Sequence, residues 1–135
     1  MELDLLDDLI GKPFEHGSNG PDSFDCYGLS KEIYKRLGWD ISGIFGYLED
    51  GQDSQEESLK EGLNKFGEKI DHPEPFCVVA FYTNPKYVTH MGIVLSDCTK
   101  FIHVLKNKSV VIASLSHPLW SKKIAGFYRY ERNYS

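Results

Sequence analysis

The chain has 135 residues, of which 41% are hydrophobic and 26% charged, a balance that suits one globular domain spanning residues 1–135. Its formal net charge of −5 argues against nonspecific nucleic-acid binding and gives no general attraction to an anionic cell wall. The start, Met-Glu-Leu-Asp, has neither the basic residues nor the apolar run of a signal peptide, and the longest apolar run, 76–82, is too short to span a membrane.

Leu3, Leu6, Leu9 and Ile10 form an apolar stripe at roughly helical spacing, ended by Gly11-Lys12-Pro13. Residues 17–21 are a loop rich in turn formers. A helix follows: Asp22, Ser23 and Asp25 offer N-cap oxygens, and Cys26, Leu29, Ile33 and Leu37 then share one face. Lys35 and Arg36 suit its negative end, and Gly38 is a ready terminator. A second helix is predicted over 54–66, with Ser54 and Glu57 as a capping box and Leu59, Leu63 and Phe66 on one face. The pattern then changes to strands, predicted at 76–82, 88–95, 100–105, 110–113 and 124–130. Helices first and strands afterwards, with short connections, predict an α+β fold whose sheet is antiparallel, with about five strands.

The chemistry-bearing residues are Cys26, at the start of the first long helix, and two strand histidines, His90 and His103. A thiol attacks only as thiolate, and a helix N-terminus together with an imidazole is expected to lower its pKa. A cysteine used for packing is common, a reading that fits Cys77 and Cys98. An isolated strand histidine is also more often structural than catalytic, but the two together say more. A two-residue turn between their strands would set them directly opposite. A four-residue turn would set them diagonally on one face, and an odd count would separate them. Gly92 leaves space beside them. One imidazole would take the thiol proton while the other fixes its tautomer, and backbone N–H groups at the helix start, including that of Cys26, would hold the oxyanion. His16, His72 and His117 read as surface loop residues, with His16 set apart by preceding the loop into Cys26. The three cysteines match no zinc spacing, and the acidic stretch 49–57 matches no calcium loop, so no metal and no cofactor are expected.

These residues resemble the NlpC/P60 cysteine peptidases, a papain-like group acting on amide bonds of peptidoglycan stem peptides. The matching segments are Ile10-Gly11-Lys12-Pro13-Phe14, Gly20-Pro21-Asp22, Asp25-Cys26-Tyr27-Gly28-Leu29, Thr89-His90-Met91-Gly92-Ile93-Val94, Phe101-Ile102-His103 and 124–130. The resemblance implies that Cys26 is the nucleophile, His90 the base and His103 the third, polar residue, with the cysteine helix packed on the sheet that carries the histidines. Phe14, His16, Asp25 and Tyr27 are the candidate substrate contacts. Phe14 stands where the family often has tyrosine, Tyr27 stands where cell-wall members often have serine, and strand 76–82 lacks the usual Pro-Gly-Asp lead-in. Asp25-Cys26-Tyr27-Gly28-Leu29 and His117-Pro118-Leu119-Trp120 look more like a bacteriophage-tail branch. The resemblance thus implies a peptidoglycan hydrolase made in the cytoplasm and associated with a phage or prophage tail and its proteins. The alternatives are a secretion-delivered cell-wall amidase toxin and a catalytically silent tail-assembly module. Intact Cys26, His90 and His103 count against the last.

Overall fold

The computed structural model describes residues 5–44, 56–82 and 88–131. Helix α1 (Cys26–Arg36) starts where the Asp25 carboxylate accepts the Gly28 N–H at 2.6 Å. This N-cap contributes about 1 kcal/mol. The helix ends in a Schellman motif: Gly38 takes a positive φ of 93°, its N–H donates to the Lys35 carbonyl, and the Trp39 N–H donates to the Tyr34 carbonyl. Arg36, in the last turn, grips Asp8 with both terminal guanidinium nitrogens at 2.6 and 2.9 Å and donates to the Leu5 carbonyl. That clamp fixes the N-terminal segment, which is helical at residues 5–6 and continues as a 3₁₀ turn over Asp7–Leu9. Leu6 and Leu9 of the apolar stripe are buried, whereas Ile10 is exposed.

Helix α2 (Glu56–Phe66) buries Leu59, Leu63 and Phe66, the predicted face; the expected Ser54 cap lies outside the described residues. The helix runs without a loop into β1 (Gly67–Ile70), a strand absent from the sequence-based expectation. The others are β2 (Val78–Tyr82), β3 (Val88–Val94), β4 (Lys100–His103), β5 (Val111–Ser114) and β6 (Ile124–Tyr130), with a one-turn helix α3 (Pro118–Ser121) before β6. The pairings are antiparallel and give one six-stranded sheet in the order β1-β6-β2-β3-β4-β5. The last strand therefore lies between the first two. Cys77 precedes β2 instead of lying within it: Phe76 has a φ of 64°, and the Cys77 N–H turns back to the Glu74 carbonyl. No helix among the described residues is long and apolar enough to cross a membrane.

The sheet is covered on both faces. Val78, Ala80, Met91, Ile93, Ile102 and Val104 point to the main core, which α1 and α2 close with Leu29, Ile33, Tyr34, Leu63 and Phe66. The residues that alternate with them, Val79, Phe81, Val94 and Phe101, point the other way into a smaller cluster roofed by Trp120 of α3. Burying each of these large side chains contributes about 1.5–3 kcal/mol.

Candidate active site

The loop before α1 is folded on itself by polar contacts. The second Asp25 oxygen accepts the Gly17 N–H at 2.9 Å, the Asp25 N–H reaches the Ser18 carbonyl, and the Ser18 and Ser23 hydroxyls are 2.8 Å apart. The first turn of α1 presses so closely on this loop that a Cβ at Gly28 would sit 2.1 Å from the Ser18 carbonyl oxygen. Only glycine fits there. A second set of bonds ties this region to the chain beyond His103. Gly11 donates to the Val110 carbonyl, Val110 to that of Lys12, and Phe14 to that of Lys108. The segments on either side of the site are thus sewn together through the backbone.

His90 and His103 share a face of the sheet. The β3–β4 register places Ile93 opposite Ile102 and Val94 opposite Phe101, with the Leu95 N–H on the Lys100 carbonyl. The turn therefore has four residues, and the histidines are diagonal, one of the two geometries that bring them together. His90 Nε2 lies 2.9 Å from His103 Nδ1. Gly92 makes room for the pair: a Cβ there would lie 3.1 Å from the His103 Cβ and 2.9 Å from the Ile102 carbonyl oxygen. Aromatic rings enclose both imidazoles. His90 stacks on Phe81 at 5.8 Å, and Trp120 meets His103 edge-on at 4.9 Å and His90 at 5.9 Å.

The Cys26 sulfur lies against β3, where the N–H of Met91, next in sequence to His90, hydrogen-bonds to it. The N–H groups of Tyr27 and of Cys26 itself face it too. All three favour the thiolate. They are outweighed by burial first and then by the neighbouring Asp25 carboxylate, which together push the thiol pKa up to about 12. Burial, reinforced by the neighbouring His103, lowers His90 to about 3, and burial alone lowers His103 to about 4. The depressed thiol pKa expected from a helix N-terminus is thus reversed. At neutral pH the resting site holds a neutral thiol and two neutral imidazoles, because desolvation disfavours every charged form.

The four candidate substrate contacts are placed differently. Tyr27 is buried, with its hydroxyl on the Ile41 carbonyl at 3.0 Å, so it serves the core and not the substrate contact expected of it. Asp25 uses both oxygens to hold the loop and the helix cap, and burial raises its carboxyl pKa. His16 is exposed and close enough to Asp25 to oppose that shift. Phe14 is half-buried against the main core and bridged through its backbone to Phe24. Trp120 was not among the expected site residues, yet it touches both imidazoles. Its one-turn helix, capped by His117 Nδ1 accepting the Leu119 N–H, is too short to leave a periodic pattern. Among the described residues, no group of histidine, cysteine and carboxylate side chains could hold a metal ion.

The sequence profile of the NlpC/P60 family matches residues 11–129. The chain belongs to the NlpC/P60 family. Solved structures with the same fold include an NLP/P60-family protein described as similar to lipoprotein, from Staphylococcus aureus, at 23% identity and a TM-score of 0.69. That match covers 97% of this chain and 40% of the other. NlpC2 from Trichomonas vaginalis matches at 24% identity and a TM-score of 0.66, over 94% of this chain and 45% of the other. The NlpC/p60 domain of the peptidoglycan hydrolase SagA matches at 21% identity and a TM-score of 0.61, over 94% of each chain. The chain therefore spans less than half of the first two proteins and nearly all of the SagA domain. No curated protein matches the sequence.

Proposed function

We propose that this NlpC/P60 domain is a thiol hydrolase that cleaves amide bonds in peptidoglycan stem peptides, with Cys26 as nucleophile, His90 as base and His103 as its orienter. The observation that carries this reading is the 2.9 Å bond between His90 Nε2 and His103 Nδ1, with the Cys26 sulfur taking the N–H of Met91, the residue after His90. His103 occupies Nε2 of His90, which leaves Nδ1 as the nitrogen to receive the thiol proton. The required tautomers are Nε2–H on His90, donating to a bare His103 Nδ1. Both pKa directions keep the imidazoles neutral, so His90 has a lone pair available at neutral pH.

Since the resting thiol is neutral, its proton passes to His90 as sulfur attacks the substrate carbonyl. No preformed ion pair is needed. The N–H groups of Cys26 and Tyr27 at the start of α1 are donors for the oxyanion. Collapse gives a thioester, and the amine leaves with the proton held by His90. Water, deprotonated by His90, then releases the acid. The similarity to the SagA peptidoglycan-hydrolase domain supports the substrate class. Association with a phage tail rests on residues 25–29 and 117–120 alone. The test is mass spectrometry of purified cell-wall fragments after incubation with wild type and with Cys26→Ala. New amine and carboxyl ends with wild type only are expected; identical fragments from both would sink the reading.

A further inference from the structure

Charge is unevenly divided along this acidic chain. The stretch 98–130 contains no Asp or Glu, and its charged residues are Lys100, Lys106, Lys108, Lys122, Lys123 and Arg129. It supplies β4, β5, α3 and β6, and with them His103 and Trp120. Arg129 is satisfied by Glu68 and Glu74, and Lys100 by Asp97. Among the described residues, no carboxylate pairs with Lys106 or Lys108, and both are exposed. A cavity of about 480 Å³ opens between this loop and His103. His103 and Trp120 line it, Leu105 and Val111 add apolar surface, and Lys108 lines it too. Val111 is 44% exposed, unusual for a large aliphatic side chain on a paired strand. The Lys108 backbone is fixed: its N–H is on the Leu105 carbonyl at 3.0 Å, and its carbonyl accepts from Phe14.

We propose that this cavity is a substrate subsite for an acidic peptide arm, its aliphatic part against Trp120, Leu105 and Val111 and its carboxylate on Lys108. The inference rests on the hydrolase reading, since His103, the orienter of the base in that reading, lines the cavity. Charge complementarity selects the occupant. An ammonium here would meet Lys108 with no described carboxylate to balance it, while a carboxylate meets that cation beside a low-dielectric wall. A wholly polar ligand would leave the apolar wall wet. An acidic residue with a methylene stem satisfies both halves.

The test is direct binding to Cys26→Ala, which removes turnover, read from the Trp120 indole N–H resonance. The probes are a synthetic stem tripeptide with free carboxylates and the same peptide with its carboxylates amidated. The acid should shift the Trp120 signal and bind about tenfold tighter than the amide. Adding Lys108→Gln should abolish that preference, and Lys122→Gln should keep it. Equal affinity for acid and amide overturns the inference, as does no binding of either peptide, an unmoved Trp120 signal, or an equal loss with Lys122→Gln. Wall digestion by the protein with Cys26 intact is scored separately. A wall-active enzyme indifferent to the carboxylate loses only this inference. A protein that binds the acid through Lys108 but digests no wall loses only the hydrolase reading.

Discussion

The two halves of the site are built from different materials. Cys26 is held by polar contacts that close within a dozen residues: Asp25 on Gly17 and Gly28, and Ser18 against Ser23. His90 and His103 are held by aromatic packing that gathers Phe81, Phe101 and Trp120 from distant parts of the chain. The polar half fixes where the sulfur stands. The aromatic half sets the protonation of the imidazoles, because the same rings that fix them also desolvate them. A site built wholly like the first half would leave the imidazoles near their ordinary pKa, and one built wholly like the second would lack backbone donors at the sulfur.

The largest effect that would sharpen this division is Cys26→Ala. Hydrolysis should vanish while the thermal melt moves little, with a cost of about 1 kcal/mol, because the polar scaffold around the sulfur does not depend on it. Unchanged wall digestion by pure Cys26→Ala would remove the nucleophile. His90→Ala should lower the turnover rate by about 10²–10⁴-fold and His103→Ala by less, since the second loses orientation and keeps the base. Steady-state rates on one defined fragment give the order, and the reverse order would exchange the two roles.

Phe81→Ala attacks the aromatic half without touching the thiol. Phe81 is fully buried, so the substitution should destabilise the protein by about 3–5 kcal/mol in chemical denaturation. A value under about 1 kcal/mol would mean that the rings do not hold the histidine face. Acid sharpens the same point. The folded-state pKa values of about 3 for His90 and about 4 for His103 lie below the ordinary 6.5 of an unfolded chain. As pH falls below 6.5, the unfolded chain gains protons that the folded one refuses. Stability should therefore fall by up to about 1.4 kcal/mol per pH unit for each histidine. Melts between about pH 7 and about pH 5 avoid the carboxylate range. The double variant His90→Gln/His103→Gln should show a flatter dependence; an equally steep one would show that the imidazoles are not desolvated. The smallest effect belongs to the polar half. Asp25→Ala removes the cap and the Gly17 bond and should lower stability by about 1–2 kcal/mol. Asp25→Asn should recover most of the loss.

What the sequence revealed follows the same division. The start of α1 at Cys26 and its end at Gly38 were readable because caps are local, and Leu59, Leu63 and Phe66 were readable because a helix face repeats. The pairing of His90 with His103 was readable only as alternatives, since sequence alone did not distinguish a two-residue turn from the four-residue turn found. Strand β1 escaped because it is four residues long, starts at a glycine and carries the adjacent exposed Glu68 and Lys69, with no alternation, on a sheet edge where charge is favoured. Trp120 escaped because α3 is a single turn. The thiol pKa came out reversed because a helix N-terminus is visible in a sequence, whereas the burial that outweighs it belongs to the finished fold.

The place of β6 bears on how the chain is made. Ile124–Tyr130 leaves the ribosome after the other five described strands, yet it is the one that joins β1 to β2. Until it arrives, the nascent sheet is in two pieces, and β1 and β2 each present an unpaired edge. Phe127, on that strand, also packs into the cluster that contains Phe81 and Trp120. The aromatic wall beside the histidines is therefore incomplete until β6 has paired, and a chain cut before Ile124 should be prone to sticking to its neighbours.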